Sequence, residues 1–323
     1  RCYNRSGCLY NTEGSGELPY IKRIIHLMGA TIAISLADSE DPSLLDAVEE
    51  RLHTYNMRFS ANDARSELMQ VNLQAGLAPV TVHPELFELI QLGRTHSLAP
   101  GSHLNIAIGP LVQTWRIGFK DARVPSPQEI QAALALTDPA NILMDEDKLA
   151  VQLALPGMKL DLGALAKGYI ADRLKDFLLA QGVQSALIDL GGNILTIGQN
   201  QDRQQAWQIG IQNPLAARGQ HLMVLPIVDQ SVVTSGIYER TLSRGGQTYH
   251  HILDRQTGYP MTSPIASLTI IAQHSVDCEI WTTRLFGDMP ADILAQVEAQ
   301  PGLEAVLVTQ DQHIYHTSGL KRD

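Results

Sequence analysis

From Asp161 to Asn193 the chain reads DLGALAKGYIADRLKDFLLAQGVQSALIDLGGN, and this stretch, with its two glycine-centred turns, constrains the fold more than any other. Leu153, Leu155, Leu160 and Leu162 predict a strand leading into it. From Ala164 the period changes: Leu165, Ile170, Leu174, Phe177 and Leu178 recur at helical spacing, and Gly182 supplies a stop. Ala186 to Leu190 then reads as a short apolar strand broken at Gly191-Gly192. The expected unit is strand, helix, strand, with Gly163 at the helix entrance and Lys167 one turn inside.

A helix N-terminus presents unpaired N–H groups and about half a positive charge. With Lys167 beside it, the entrance suits an anion, a phosphate first of all. The competing reading makes Gly163 a packing glycine and Lys167 a solvated surface lysine. Gly163-Ala-Leu-Ala-Lys167-Gly lacks the second glycine before the lysine and the Ser/Thr after it, and no G-x-G-x-x-G follows a strand. ATPase and dinucleotide-dehydrogenase explanations lose weight accordingly.

The chain's 323 residues suffice for one large or two intimate domains, and 44% apolar with 18% charged residues is globular composition. No apolar run is long enough to span a bilayer, so no transmembrane segment is expected. A formal net charge of −10, without a Lys/Arg run, argues against nucleic acid and against a polybasic membrane patch. A phosphate ligand would therefore need local positive charge from a lysine, a helix end or a metal ion. Cys2, Cys8 and Cys278 give neither a metal spacing nor an even disulfide framework. Residues 1–18 are expected to be a flexible polar tail, in which Cys2 and Cys8 can pair, and 19–323 one folded unit. The first residue is arginine, so removal of a signal or anchor segment stays open. The compartment, extracytoplasmic with a tether or cytoplasmic, is undecided.

Tyr20 to Leu36 predicts two strands, or one bent strand, with Gly29 at the bend. Helices are expected from Asp41 to about Tyr55, around Ser66 to Val71, from Pro84 to Leu98 and from Pro127 to Leu136. Ala107 to Phe119 mixes Gly, Pro and Trp115 and suits a loop lining a cavity; ordinary core burial is the alternative for the tryptophan. Strands are expected at 207–212, 222–228, 231–235, 247–253, 267–272, 305–308 and 313–316, with helices at 276–285 and 291–299. Strands and helices grouped in blocks indicate an α+β fold.

Glu279 and Thr283 lie four residues apart on one face of a helix. They are hard oxygen ligands suited to Mg²⁺, or else a solvated surface pair. Asp277 reads as a first-turn acid facing the helix dipole. His250 and His251 alternate at a strand end, so their rings point to opposite faces. One is a candidate general base, or both are structural histidines. Val233-Thr234-Ser235-Gly236 is expected to be a small-residue turn, either ligand-binding or merely tight.

Taken in order, HLMGATIAIS, FSANDARSELMQVN, IGPLVQTWRIG, LDLGALAKGYIAD, ALIDLGGNI, SVVTSGIYER, YHHILDRQTGYP and VDCEIWTTRLFG resemble the ApbE-type flavin transferases over residues 20 to 290. The resemblance implies an ApbE-like, T-fold-related α+β fold of mixed sheets packed with helices, with a flavin cleft between two intimate subdomains. It implies an enzyme that moves FMN from FAD onto a Thr or Ser hydroxyl of an acceptor redox flavoprotein. In that family Mg²⁺ is held by the carbonyl at the position of Ala164 and by side chains at Glu279 and Thr283, with Lys167 near the phosphates. His251 matches the family's histidine before the Ile-x-Asp turn, the implied base. Met28, Ala107, Trp115, Ser235 and Gly236 fall in segments that line the flavin cavity, and Asp161, Asn193, Asp254 and Thr257 support it. This chain departs from the family in carrying Glu279 for the usual aspartate, Ile237 for an acid, and Asn62 near the place of an aromatic residue. The competing activities are hydrolysis of FAD to FMN and AMP, and flavin binding without turnover.

Overall fold

A computed structural model describes residues 2–3, 9–10, 20–217 and 219–320. Its largest element among these residues is a ten-stranded antiparallel sheet. In spatial order the strands are Cys2–Tyr3, Leu9–Tyr10, Ile21–Leu27, Ala30–Leu36, Ala186–Leu190, Asn193–Ile197, Ser231–Gly236, Ile265–Ala272, Glu304–Thr309 and Ile314–His316. The expected tail, including a Cys2–Cys8 pairing, otherwise lies outside the described residues. Eight helices are described: α1 (Pro42–Phe59), α2 (Glu67–Leu73), α3 (Pro84–Leu98), α4 (Gly109–Trp115), α5 (Pro127–Leu134), α6 (Ala166–Ala180), α7 (Ser275–Leu285) and α8 (Pro290–Glu298).

Turn chemistry sets the first hairpin. Met28 and Gly29 both have positive φ, 54° and 67°, and join strands paired through Leu27 and Ala30. A two-residue turn of that hand matches strand twist. Helix starts carry their own caps: the Asp41 carboxylate accepts the Ser43 N–H at 2.9 Å, Ser66 accepts that of Met69 at 3.1 Å, and Ser126 with Glu129 forms a capping box.

Alternation divides the sheet between two cores. Val233 and Ile270 face a cluster with Cys278 and Leu285 of α7, Phe286 just after it, and Ile293 and Val297 of α8. Their neighbours Val232 and Ile271 face Trp207, Ile209 and Ile211 of a separate hairpin, Trp207–Gln212 with His221–Ile227. Ile265–Ala272 is therefore buried along its whole length. A larger cluster joins the Ile21–Leu36 hairpin and Ala186–Ile197 to α1, α2, α3 and α6.

Several expectations need correcting. The strand expected through Leu153, Leu155, Leu160 and Leu162 stops at Leu153: the strand there is Ala150–Leu153, which pairs with Val80–Thr81 and Ile142–Asp145 in a separate sheet. Without a parallel partner, the expected strand–helix–strand unit is a helix between two different sheets. The segment 107–119 contains α4 rather than a loop, because Pro110 sits where a first turn needs no N–H. Val233 to Gly236 is strand rather than turn, paired with Ser267 to Ile270. The strand starting at Gln247 ends at His250, not Leu253.

The feature that positions the site is the contact of α6 with α7. An ideal Cβ on Gly168 would lie 2.5 Å from the Ser275 carbonyl oxygen and 2.7 Å from Val276 Cα, so glycine alone admits this approach. One turn along α6, the Asp172 carboxylate accepts the Ser275 and Val276 N–H groups at 2.8 and 2.9 Å. It does from another helix what the N-cap residue His274 leaves undone. Gly168→Ala should reduce unfolding free energy by about 1–3 kcal/mol through overpacking, seen as an earlier urea midpoint. An unchanged midpoint would show that the two backbones have room to spare.

Candidate active site

The entrance to α6 is held from three directions. Asn72 takes the Leu160 N–H at 2.7 Å and gives its amide to the Leu160 carbonyl at 3.0 Å. The Asp161 N–H reaches the Ile106 carbonyl at 2.9 Å, and Asp161 Oδ1 accepts the Gly163 N–H at 2.8 Å. The Leu162 carbonyl accepts from Leu165 and Ala166, and that of Leu165 from Tyr169. The two carbonyls between them, of Gly163 and Ala164, receive no N–H from any described residue. Unpaired main-chain oxygens at the mouth of a helix suit a cation. Lys167 is the second residue of α6, nearer the mouth than the sequence indicated.

Opposite stands Glu279, 5% exposed. A buried chain of polar groups aims it. The Ser231 hydroxyl lies 2.7 Å from the Ile194 carbonyl and 2.9 Å from Ser275 Oγ. The Ser275 hydroxyl donates to Asn193 Oδ1 at 2.8 Å, and Asn193 Nδ2 donates to Glu279 Oε1 at 2.9 Å. Lys167 Nζ lies 3.7 Å from the same oxygen. Glu279 Oε2 takes no hydrogen bond from a described residue. Thr283, one turn further along α7 and half-buried, is likewise without a partner among them. Its neighbour Thr282 is buried and donates to the Glu279 carbonyl at 3.0 Å.

His251 enters from the end of the hairpin Thr241–Arg244 with Gln247–His250. The two histidines diverge as alternation requires: His250 Nε2 lies 3.0 Å from the Met261 carbonyl oxygen, whereas His251 Nδ1 is buried without a partner. Burial, followed by the positive charge of Arg240, lowers the His251 pKa to about 4, and Lys167 adds to the effect. The ring is therefore neutral at ordinary pH and shares an electrostatic neighbourhood with Lys167. Desolvation raises the Asp161 carboxyl above its ordinary value, against the Gly163 N–H and the Arg240 charge.

The remaining sequence candidates occupy supporting positions. Asp254 and Thr257 build the turn beneath His251: Asp254 Oδ1 accepts the Gln256 N–H at 2.7 Å and Thr257 Oγ1 that of Tyr259 at 3.3 Å. Fully buried Trp115 donates its indole N–H to the Gly258 carbonyl at 2.9 Å, and so fixes that turn from within the core. Ala107 is also fully buried, just ahead of α4. Ser235 and Gly236 end a strand, and Met28 lies half-buried in the first hairpin turn. An ideal Cβ on Gly191 would fall 2.6 Å from Ala30 Cβ, so the Met28 turn and the Gly191-Gly192 turn before Asn193 lie at the same end of the sheet. No cluster of three or more His, Cys, Asp or Glu side chains occurs among the described residues, so a metal here would rest on mixed oxygen donors.

Sequence reading missed Asp172, Ser231, Ser275, Arg240 and Arg255. The Arg255 guanidinium donates to the carbonyls of Ser97, Ser102 and Leu104, at 2.6, 3.2 and 3.2 Å, and pins the turn below His251. Only Arg255 had a local signal, in the DRQTG turn. The others act on partners far away in sequence.

A mixed α+β protein in which a glycine-led helix entrance meets the acidic face of a later helix is thus defined by fold and site together. The model of the ApbE family matches residues 28–307, and the chain belongs to that family. It is 43% identical over 292 residues to a FAD:protein FMN transferase of Klebsiella pneumoniae (strain 342), covering 90% of each chain. To a FAD:protein FMN transferase of Treponema pallidum (strain Nichols) it is 35% identical over 294 residues, covering 87% of this chain and 81% of that one. The ApbE protein of Thermotoga maritima superposes with a TM-score of 0.84 at 27% identity, covering 93% of this chain and 97% of that one. Apo flavinyl transferase ApbE of Pseudomonas stutzeri gives 0.80 at 27% identity, covering 94% and 96%.

The histidine provides a direct check. Its folded pKa lies below the ordinary 6.5, so between about pH 6.5 and 4 the unfolded chain binds the additional proton and stability rises with pH. NMR titration of the His251 ring should give a midpoint near 4, and His251→Gln should flatten the stability slope in that window. A midpoint between 6 and 7 would contradict the burial-driven shift.

Proposed function

We propose that this chain transfers the FMN portion of FAD to a Ser or Thr hydroxyl of an acceptor flavoprotein, with release of AMP. It is an enzyme of the ApbE flavin-transferase type. The observation that carries the finer reading is the convergence of Lys167 with Glu279, 3.7 Å apart, on an otherwise acidic chain. Residues 19–323 act on this reading as one domain, since the groups involved come from stretches a hundred residues apart.

The donor set fits Mg²⁺: among the described residues, one carboxylate with a free oxygen, one hydroxyl without a partner and two unpaired carbonyls at a helix mouth. Glu279, Thr283 and the Ala164 carbonyl would hold it. When bound, it would neutralise charge on the diphosphate and draw electron density from phosphorus. The chain's own groups do the rest. Lys167 and the α6 N-terminus attract the diphosphate and offset the charge that develops on the bridging oxygen. His251, neutral and desolvated, accepts the acceptor's hydroxyl proton as that oxygen bonds to the FMN phosphorus. The bond from that phosphorus to the bridging oxygen breaks, and AMP leaves with the electron pair. The chain contributes no covalent nucleophile, because the acceptor brings its own.

Incubation with FAD, Mg²⁺ and an acceptor flavoprotein tests the reading. Transfer gives both AMP and a fluorescent denatured acceptor. AMP alone would mean FAD hydrolysis, and neither signal would mean flavin binding without turnover. His251→Ala should slow AMP release by roughly 10²- to 10⁴-fold, the range of a general base, and Glu279→Ala should abolish dependence on Mg²⁺ together with activity. AMP release unchanged in either variant would remove that residue from the reaction.

A further inference from the structure

Arg240 is held at two points and, among the described residues, left without an ion-pair partner at a third. Its carbonyl accepts the His251 N–H at 3.2 Å, which ties its backbone to that of the histidine. Its stem passes over Gly118, a residue with φ of 91°, where an ideal Cβ would come within 2.9 Å of Arg240 Cδ. The side chain is exposed and makes no ion pair with a described residue. Even so, it acts electrostatically on Asp161 to one side and on His251 to the other. Asp161 Oδ1 accepts the Gly163 N–H, and the Arg240 guanidinium acts on that carboxylate through space without forming an ion pair with it. An arginine with an anchored stem and an unpaired head presents a planar fork suited to phosphate oxygens. In a chain of net charge −10, such a group concentrates positive potential where an anion must arrive.

Its neighbour tells which phosphate. In-line displacement puts the incoming hydroxyl, and therefore the base, on the side of phosphorus opposite the departing group. Arg240 is bonded to the backbone of that base, so it lies toward the phosphoryl group being transferred and away from the leaving nucleotide.

We propose that Arg240 is a substrate-binding residue that grips the phosphoryl oxygens of the FMN half of FAD, facing Lys167 across the site. The assignment rests on the transferase reading given above. It also explains Gly118, where a side chain would collide with the arginine stem.

Isothermal titration with FAD, FMN and AMP, each with Mg²⁺, tests it on the wild type, Arg240→Gln and Arg240→Lys. Loss of a charge-assisted hydrogen bond should weaken FAD and FMN binding by roughly 10- to 100-fold in Arg240→Gln and leave AMP binding unchanged. Arg240→Lys should recover part of the loss, as a point charge replacing a fork. Equal weakening for AMP, or none for FMN, overturns the assignment even if the wild type transfers flavin normally. A wild type that takes up none of the three ligands removes both this assignment and the transferase reading.

Discussion

Two helices touch backbone to backbone at Gly168, and the site depends on that contact. With α6 and α7 at this distance, Asp172 can cap the start of α7, Ser275 can turn its hydroxyl to Asn193, and Asn193 can fix the Glu279 carboxylate. Burying a carboxylate costs several kcal/mol unless partners compensate. Here one oxygen is supplied by an amide and a nearby ammonium while the other takes no hydrogen bond from a described residue. A fully satisfied Glu279 would be inert structure. A half-satisfied one, held still by a buried chain of hydrogen bonds, is placed as the proposed cation ligand must be.

The second wall of the site obeys a different logic. His251 sits at the end of a hairpin whose turn below is fastened by Arg255 to three carbonyls and by Trp115 to the Gly258 carbonyl. Burial and the charges of Arg240 and Lys167 keep its ring neutral, which the proposed role as proton acceptor requires. Positive charge preserves the neutral form of the imidazole, and on the proposed reading it also attracts the anionic ligand.

Local patterns in the sequence carried most of the element boundaries. Asp41-Pro42, Ser66 and Pro84 mark helix starts by their own chemistry, and α3 falls where the periodicity places it. Gly163, Lys167, Glu279 and Thr283 were likewise readable as an entrance and an acidic face, but only the family resemblance, not the residue patterns, implied that they are neighbours. That required tertiary structure, since Asn193 meets Glu279 and Asp172 meets Ser275 across about a hundred residues. The errors have physical causes too. Leu160 and Leu162 are buried by irregular chain rather than by a sheet while Leu155 is exposed, and a short helix at 109–115 was hidden by its Gly-Pro start. Arg240 was overlooked because an isolated arginine after a turn has no periodic signature; its meaning comes from what lies beside it.

The claim beneath all of this is that the α6 entrance and the α7 face form one cation-binding cradle. Crystals grown with Mn²⁺ in place of Mg²⁺ and measured for anomalous scattering test it directly. The account predicts a peak bonded to the Ala164 carbonyl, a Glu279 carboxylate oxygen and the Thr283 hydroxyl. A Mn²⁺ ion bound elsewhere, with those three groups left unbridged, would contradict it.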